Sequence, residues 1–256
     1  MANPKVLPDV RDKVALIVGG SRGIGAAAAR AFLEQGAKVV VTGRRQALLD
    51  EFVGSLPSQD NIRTIAADII DQQAMLDAVD LAVSAFGRLD CAFNNAGGGH
   101  PPGRIHELPA EEFVKSLELN LTGVFYAMQA QIRAMLDCGG GSIINTSSSA
   151  GLVGVPRIPG YVASKHGLAG LTKAAALEYA VDNIRCNLIA PGPVLTDAIR
   201  EANMSEREYQ IWAGAPPMKR PAVPDEMVGA VIWLASDASS YVTGVSLPVD
   251  GGYVVR

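Results

Sequence analysis

Short runs of apolar residues alternate along the chain with stretches in which apolar residues recur at helical spacing. The short runs span residues 14–18, 38–42, 62–66, 89–93, 142–146, 184–189 and 245–249. They are apolar at successive positions, which predicts strands of a parallel sheet that is covered on both faces. The helical stretches span residues 24–35, 46–56, 71–86, 110–136, 161–181 and 224–235.

This alternation predicts an α/β architecture: a doubly wound, seven-stranded parallel sheet with helices on both faces, which is the Rossmann fold. No linker or repeat divides the sequence, so we expect a single domain over residues 1–256. The stretch 193–222 lies outside the alternation and contains Pro, Met and aromatic residues. Long loops in compact domains are usually functional, so we interpret residues 193–222 as a lid.

The composition favours a soluble, cytoplasmic protein. A net charge of −4 without a basic run argues against nucleic acid or an acidic membrane as partner. The cysteines number three, without a CxxC motif, which is typical of a reducing compartment. The three histidines show no metal-ligand spacing with the cysteines, so we expect no metal site. No targeting segment is visible, and the apolar runs are too short to cross a bilayer.

A glycine-rich turn directly follows the first strand and opens the first helix. It reads Gly19-Gly20-Ser21-Arg22-Gly23-Ile24-Gly25, with Ala28 in the third place of the fingerprint. Glycines let the backbone approach a pyrophosphate, and the helix N-terminus offers free N–H groups and a positive dipole end. In this context the pattern predicts dinucleotide binding, and the alternative is a tight structural turn.

The end of the second strand indicates which dinucleotide is bound. A carboxylate usually stands there in NAD sites, but this strand ends Thr42-Gly43-Arg44-Arg45. Guanidinium groups match a phosphate dianion, and Arg22 could add a third. We therefore predict NADP(H), with NAD(H) as the alternative. The two arginines could also be solvated surface charges.

Tyr161 and Lys165 are spaced to lie on one face of a helix, a turn apart. A nearby cation lowers the pKa of a tyrosine from about 10, which makes the phenol a usable general acid or base. Ser147-Ser148-Ser149 and Asn94-Asn95-Ala96-Gly97 follow two neighbouring strands and are expected in the same crevice. They could also be ordinary turn residues.

Together, and in this order, these motifs make the sequence from Asp12 to Gly252 resemble the short-chain dehydrogenase/reductase family, in its compact single-domain branch. One position departs from the family pattern, since Val18 stands where a threonine is common. The resemblance implies a catalytic set of four: Tyr161 exchanges a proton with the substrate oxygen, Ser148 holds that oxygen, Lys165 lowers the Tyr161 pKa and binds the nicotinamide ribose, and Asn120 orders a proton path. Ser147 and Ser149 are the rivals of Ser148.

The resemblance also implies a set of cofactor contacts. Asp68 matches an acidic residue that contacts the adenine, residues 94–97 match a sheet-stabilising loop beside the cofactor, and residues 191–196 match the loop over the nicotinamide. The full implied set is Gly19, Ser21, Arg22, Gly23, Ile24, Gly25, Arg44, Arg45, Asp68, Ile69, Asn94, Ala96, Gly97, Tyr161, Lys165, Pro191, Gly192, Val194 and Thr196.

The resulting hypothesis is an NADP(H)-dependent oxidoreductase that interconverts a small, mostly apolar ketone and a secondary alcohol. Apolar residues predicted to flank the site are Leu152, Val153, Val155, Ile158, Ile199, Met204, Tyr209, Ile211 and Trp212. The alternatives are a 3-oxoacyl-carrier-protein reductase, a methyltransferase and a non-catalytic NADP-sensing protein. A carrier protein is acidic, and few cations flank the predicted site, so free small substrates rank higher.

We further expect a homotetramer. The resemblance implies a tetramer or a dimer, because members of this branch usually associate in this way through the long helix, the Tyr161 helix and the C-terminal segment. The two helices carry small residues that permit close packing between subunits, namely Ala127, Ala130, Ala134, Ala169 and Ala174–Ala176.

Overall fold

The computed structural model describes residues 7–99, 101–202 and 204–255. Seven strands lie in this part of the chain: β1 (Val14–Val18), β2 (Lys38–Gly43), β3 (Ile62–Ala66), β4 (Cys91–Asn94), β5 (Gly141–Thr146), β6 (Ile184–Pro191) and β7 (Ser246–Val249). They form one parallel sheet in the order β3-β2-β1-β4-β5-β6-β7. The predicted doubly wound fold is confirmed. His100, one of the three histidines considered above, lies outside the described residues.

Helices cover both faces of this sheet. They are α1 (Gly23–Glu34), α2 (Gln46–Gly54), α3 (Gln72–Phe86), α4 (Ala110–Leu117), α5 (Gly123–Asp137), α6 (Pro159–Tyr179), α7 (Asp197–Glu201), α8 (Glu206–Ala213) and α9 (Asp225–Ala235). Helices α1 and α9 share one hydrophobic core, and α3, α5 and α6 share the other. Alternate residues of β1 enter opposite cores, with Ala15 and Ile17 in the first and Leu16 in the second. The strand is therefore apolar at every position.

Local signals placed the ends of α3 correctly. The Asp71 carboxylate accepts hydrogen bonds from the backbone N–H groups of Gln73 (2.9 Å) and Ala74 (3.2 Å), as an N-cap residue does. Gly87 ends the helix in the left-handed region, at φ 86°.

The long helix predicted over residues 110–136 runs without a gap from Ala110 to Asp137, but it is not α-helical throughout. A π-helical turn, Glu118–Thr122, separates α4 from α5. Insertions of this kind are rare in helices and occur frequently at functional sites.

The lid also differs from the expected long loop. It contains the two short helices α7 and α8, which lie between β6 and α9. Helix α8 begins with a capping box, in which Ser205 and Glu208 bond each other's backbone N–H groups. No helix among the described residues combines the length and the apolar character that crossing a membrane requires.

The alanines proposed for subunit contacts mostly serve the chain's own core. Ala127 and Ala130 on α5, with Ala175 and Ala176 on α6, pack in the core beneath those helices. Ala169 is likewise buried, against Leu188 and Ala190 of β6. Because these five residues are covered by the protomer itself, they lend no support to subunit packing, whereas Ala134 is partly exposed and Ala174 is exposed. The homotetramer stays a prediction.

Candidate active site

A cavity of about 450 Å³ lies at the carboxyl ends of the strands. In a doubly wound sheet this is the edge at which ligands bind. The glycine turn (residues 19–25), the ends of β2, β3, β4 and β5, the start of α6 and the lid all contribute to its wall. The lining is formed by Val18, Gly19, Ser21, Arg22, Gly23, Ile24, Thr42, Gly43, Arg44, Arg45, Ala67, Asp68, Ile69, Asn95, Ala96, Gly97, Gly98, Leu119, Thr146, Ser147, Tyr161, Lys165, Thr196, Asp197, Ala198 and Ile199.

The glycine turn requires glycine at two positions for steric reasons. Gly19 has a φ of 80°, and a Cβ there would lie 2.7 Å from the backbone of Ala96. At Gly25 a Cβ would lie 2.2 Å from the carbonyl oxygen of Gly19. Glycine at these positions lets the turn pack closely against the start of α1 and the loop after β4. The N-terminus of α1 then faces the cavity, where its N–H groups suit a pyrophosphate.

One end of the cavity is rich in cations. Arg44 and Arg45 follow β2 and are exposed, and their guanidinium groups form no hydrogen bond or ion pair with another described residue. Arg22 lies in the same wall but is engaged, because its guanidinium donates two hydrogen bonds to the carboxylate of Glu201 at the end of α7. Asp68 and Ile69, which follow β3, complete this end of the cavity.

At the other end Lys165 is buried beside Tyr161. Its Nζ donates to the carbonyl oxygen of Thr146 at 2.8 Å, and lies 5.6 Å from the centre of the Tyr161 ring. Burial disfavours the charged ammonium and lowers the pKa of Lys165 to about 8.

Ser148 bonds the phenol of Tyr161. Burial raises the pKa of Tyr161 above its ordinary value, and a hydrogen bond with the Ser148 side chain opposes this by lowering it. The Ser148 hydroxyl also accepts the N–H of Ala150 at 3.1 Å, which leaves its own proton available for the phenol oxygen. Ser147 is engaged elsewhere, since its hydroxyl donates to the carbonyl of Lys165 at 3.2 Å.

The expectation that Lys165 lowers the pKa of Tyr161 does not hold in this structure. The net shift of the Tyr161 pKa is upward, with burial as the larger cause and Ser148 as the opposing one. The physical reason is the burial of the phenol, which disfavours the charged phenolate. The Lys165 ammonium donates to the Thr146 carbonyl. A tyrosine with this pKa is protonated at neutral pH, so it is prepared to donate a proton.

Asn120 lies in the π-helical turn and is fully buried. Its side-chain amide donates to the carbonyl oxygens of Gly98 (2.9 Å) and Ser116 (3.0 Å), and its Oδ1 accepts the N–H of Gly98 (3.0 Å). A Cβ at Gly97 would lie 2.8 Å from this Oδ1 and 3.3 Å from the Lys165 Nζ. The loop after β4 therefore lies between Asn120 and Lys165.

Comparison with known proteins identifies the family. Residues 18–254 match a family model described as enoyl-(acyl carrier protein) reductase. The chain is 41% identical over 250 residues to the A-factor type gamma-butyrolactone 1'-reductase (1S-forming) of Streptomyces virginiae, covering 95% of this chain and 96% of that protein. It is 42% identical over 249 residues to the cyclohexanol dehydrogenase of Acinetobacter sp. (strain SE19), covering 96% of each.

A solved structure agrees with these relatives. The crystal structure of levodione reductase superposes with a TM-score of 0.91 at 32% identity, covering 96% of this chain and 99% of that chain. The chain is a short-chain dehydrogenase/reductase. Its relatives act on CH–OH groups or the corresponding carbonyls, so this dehydrogenase/reductase is an NAD(P)(H)-dependent oxidoreductase with a small-molecule substrate.

The described residues of this dehydrogenase/reductase suit a nicotinamide dinucleotide. The glycine turn and the N-terminus of α1 would hold the pyrophosphate, Asp68 and Ile69 would flank the adenine, and Lys165 would bond the nicotinamide ribose. The close approach of Gly19 to Ala96, which a Cβ would block, keeps this part of the wall open to such a ligand.

Five of the predicted cofactor contacts do not line the cavity. Asn94 is buried and donates from its Nδ2 to Gln131 Oε1 (3.0 Å) and Asn145 Oδ1 (2.9 Å), so it joins β4 to α5 and β5. Pro191 and Gly192 lie at the junction of β6 and β7, where Gly192 N–H bonds the Val249 carbonyl. Val194 packs in the core beside α9. Gly25 contributes indirectly, because its lack of a side chain lets the start of α1 pack against the Gly19 carbonyl oxygen.

The apolar residues expected around the substrate are only partly assembled. Ile199 lines the cavity, whereas the other eight do not. Ile211 is 65% exposed. The rings of Tyr209 and Trp212 pack on each other, with centroids 5.9 Å apart.

Some contacts of the site were not predicted from the sequence. Asn95, named above only as part of the motif after β4, bonds the Gly19 carbonyl through its Nδ2 at 3.0 Å, and the Thr146 carbonyl holds Lys165. Both follow from their place at strand ends, which the strand predictions already located. Glu201 carries no motif, because its importance comes from a contact with Arg22 across 179 residues of sequence.

Proposed function

We propose that this dehydrogenase/reductase is NADP(H)-dependent and interconverts a small, mostly apolar ketone and its secondary alcohol, with Tyr161 as the general acid and base. The observation that supports this most is the composition of a single cavity. Arg44 and Arg45, whose guanidinium groups form no hydrogen bond or ion pair with the described residues, lie in the wall after β2. Tyr161 lies in the same wall at the start of α6, and its phenol interacts with the Ser148 side chain, which follows β5 outside the lining.

The phosphate-binding part of the proposal rests on charge. The 2′-phosphate distinguishes NADP(H) from NAD(H), and a phosphate dianion pairs best with guanidinium groups. Gly43 stands at the end of β2, where a carboxylate would otherwise bond the ribose of NAD(H). The arrangement therefore offers cations to the phosphate and places no carboxylate at the end of β2.

The chemistry divides between the cofactor and the protein. The cofactor supplies a hydride when bound. Tyr161 donates its phenolic proton to the substrate oxygen during reduction, and its raised pKa keeps that proton in place at neutral pH. Ser148 bonds the same oxygen and polarises the carbonyl. In the oxidation direction the same groups take up the proton of the alcohol.

Lys165 and Asn120 have supporting roles in this proposal. The Lys165 ammonium is placed to bond the ribose hydroxyls while it remains bound to the Thr146 carbonyl. Asn120 fixes the loop after β4 through Gly98, and this loop borders Lys165. Protons exchanged at Tyr161 would reach solvent past these two residues.

The substrate class draws on the relatives and on the cavity wall. The cyclohexanol dehydrogenase and the gamma-butyrolactone reductase are named for substrates that contain a small ring. Leu119 and Ile199 give the cavity an apolar border. A saturated ring of five to seven members that bears one ketone would combine a polar group for Tyr161 with an apolar body for this border.

The test is a matrix of initial rates. Cyclopentanone, cyclohexanone, cycloheptanone and the linear 2-hexanone are assayed with NADPH and with NADH, alongside reduction of acetoacetyl-carrier protein. We expect the cyclic ketones with NADPH to be the best combination. We also expect Tyr161→Phe to lower kcat by about 10²–10⁴ while the Kd for NADPH stays within about threefold. A carrier-bound substrate that outpaces every free ketone, or an active Tyr161→Phe variant, would refute the proposal.

A further inference from the structure

The ion pair between Arg22 and Glu201 connects two walls of the cavity. Arg22 belongs to the glycine turn, and Glu201 is the last residue of α7 in the lid. Both guanidinium NH groups of Arg22 point to this carboxylate, and the second contact measures 3.3 Å. This fork-to-fork geometry is the same one in which an arginine binds a phosphate.

Glu201 lies close to two of the cations that would receive a 2′-phosphate, Arg22 and Arg45. Its contact with Arg22 lowers the pKa of the Glu201 carboxyl, and the charge of Arg45 contributes to that shift. The carboxylate is therefore ionised at neutral pH and lies in the field of both arginines. Asp197 and Glu51 also act on Arg22, but at longer range and without a hydrogen bond.

A carboxylate in this position has opposite consequences for the two dinucleotides. A 2′-phosphate must either displace Glu201 from Arg22 or share Arg22 with it, and the two anions repel each other. A dinucleotide with a 2′-hydroxyl makes no such demand. We propose that Glu201 is a specificity-determining residue, whose carboxylate competes with the 2′-phosphate for Arg22 and so moderates the preference for NADP(H). This inference rests on the proposed use of NADP(H).

The contact also predicts how the competition depends on salt. The side chains of Arg22 and Glu201 are partly exposed, at 32% and 60%, so their pairing is screened by ions. An exposed pair of this kind is worth little to folding. Its removal should therefore alter ligand binding while leaving the stability of the fold nearly unchanged.

The experiment measures the Kd values of NADPH, NADH and 2′,5′-ADP for wild type and Glu201→Gln, at low and at high ionic strength. The control is Glu206→Gln, which neutralises a second lid carboxylate whose partner is Gln210 and not an arginine. We expect Glu201→Gln to tighten NADPH and 2′,5′-ADP by about three- to tenfold at low salt, and to change NADH by less than about twofold. The gain should shrink at high salt, and Glu206→Gln should have no effect.

A double variant isolates the pair. In an Arg22→Gln background the further change Glu201→Gln should no longer tighten NADPH, because the group under competition is gone. Equal tightening of NADPH and NADH by Glu201→Gln would overturn the proposal and indicate that the pair only positions the lid. No change with either ligand would overturn it as well. If Arg44→Ala selectively weakens NADPH while Glu201→Gln has no effect, the NADP(H) assignment stands and this inference alone fails.

Discussion

Asn120 holds the backbone of Gly98 by both of its polar groups. The Asn120 Nδ2 donates to the Gly98 carbonyl at 2.9 Å, and Oδ1 accepts the Gly98 N–H at 3.0 Å. Asn120 comes from the π-helical turn, whereas Gly98 follows β4, so one buried side chain ties two walls of the site together. The neighbouring Gly97 leaves room for Asn120 Oδ1 and Lys165 Nζ, both of which lie where a Cβ would project.

Replacing Asn120 should therefore damage stability and catalysis together. Asn120→Ala leaves the partly buried N–H and carbonyl of Gly98 and the buried carbonyl of Ser116 without this partner, which costs about 1–3 kcal/mol of unfolding free energy. We expect kcat/KM to fall by about tenfold or more, because the loop beside Lys165 loses its anchor. Ser116→Ala is the control, since it keeps the carbonyl that Asn120 uses. Wild-type stability and turnover in Asn120→Ala would contradict this role.

The hydrogen bond from Ser148 predicts the pH dependence of alcohol oxidation. Oxidation needs the deprotonated phenolate of Tyr161, so its rate rises with pH until the pKa of Tyr161 is passed. Because the Ser148 bond lowers that pKa, Ser148→Ala should move the rise in kcat/KM to higher pH, in addition to reducing its height. The measurement is the pH profile of kcat/KM for oxidation, with Ser147→Ala as the control. An unchanged midpoint in Ser148→Ala would remove Ser148 from the control of this proton.

The burial of the Lys165 ammonium should lower the unfolding free energy of the protein. Its folded-state pKa of about 8 lies below the ordinary 10.5, a difference equivalent to about 3 kcal/mol. This penalty is full below pH 8, where the ammonium is charged in both states, and disappears as the pH rises towards 10.5. Lys165→Met should therefore raise the unfolding free energy by about 1–3 kcal/mol at pH 7 while abolishing turnover.

Chemical denaturation at two pH values tests this prediction. The gain from Lys165→Met should be largest near pH 7 and should shrink as the pH rises above 8. Lys173→Met, on the exposed side of the same helix, should change stability by less than about 0.5 kcal/mol. A Lys165→Met protein that is less stable than wild type at pH 7 would show that the bond to the Thr146 carbonyl outweighs the desolvation of the charge.

The sequence predicted those features that depend on neighbours along the chain. Periodicity located the strands, and the Asp71 cap and Gly87 placed the ends of α3, because these signals act within one turn of helix. Contacts between distant segments of the chain were harder to predict from the sequence. The π-helical turn around Asn120 and the pairing of Glu201 with Arg22 depend on tertiary packing, which no local pattern records. The upward shift of the Tyr161 pKa could not be predicted for the same reason, because it comes from burial of the phenol by distant segments.

Exposed apolar side chains on α4, α5 and α6 support association of this chain into a homotetramer. Phe113 on α4, Phe125 on α5 and Leu177 on α6 remain exposed on the two helical segments expected at subunit contacts. Burial of such side chains favours association, and closed symmetry is the usual result. We expect a homotetramer by light scattering at micromolar concentration, and a smaller species for Leu177→Asp. Ile105→Asp, in the loop before α4, is the control. A monomeric mass for the wild type would refute this prediction.

The preference between the two cofactors should respond most strongly to the end of β2. Arg44 is exposed and has no partner among the described residues, so its guanidinium is available to the 2′-phosphate. A charge-assisted hydrogen bond contributes about 1.5–3 kcal/mol. Arg44→Ala should therefore weaken NADPH by about ten- to a hundredfold and leave NADH nearly unchanged. The Arg45→Ala variant shows whether Arg45 also binds the 2′-phosphate.

Gly43→Asp should also shift the cofactor preference from NADPH towards NADH, by a different route. A Cβ at Gly43 would lie 3.1 Å from the Ser21 Oγ and 3.4 Å from Leu49 Cδ2, so the Ser21 side chain must move by a few tenths of an ångström. The new carboxylate repels the 2′-phosphate and offers an acceptor to the 2′-hydroxyl of NADH. Gly43→Ala separates the steric cost from the charge, since it adds the Cβ alone. The measurement is the ratio of kcat/KM with NADPH to that with NADH for all these variants. A wild type that prefers NADH, or a ratio that Arg44→Ala and Gly43→Asp leave unchanged, would show that the end of β2 does not select the cofactor.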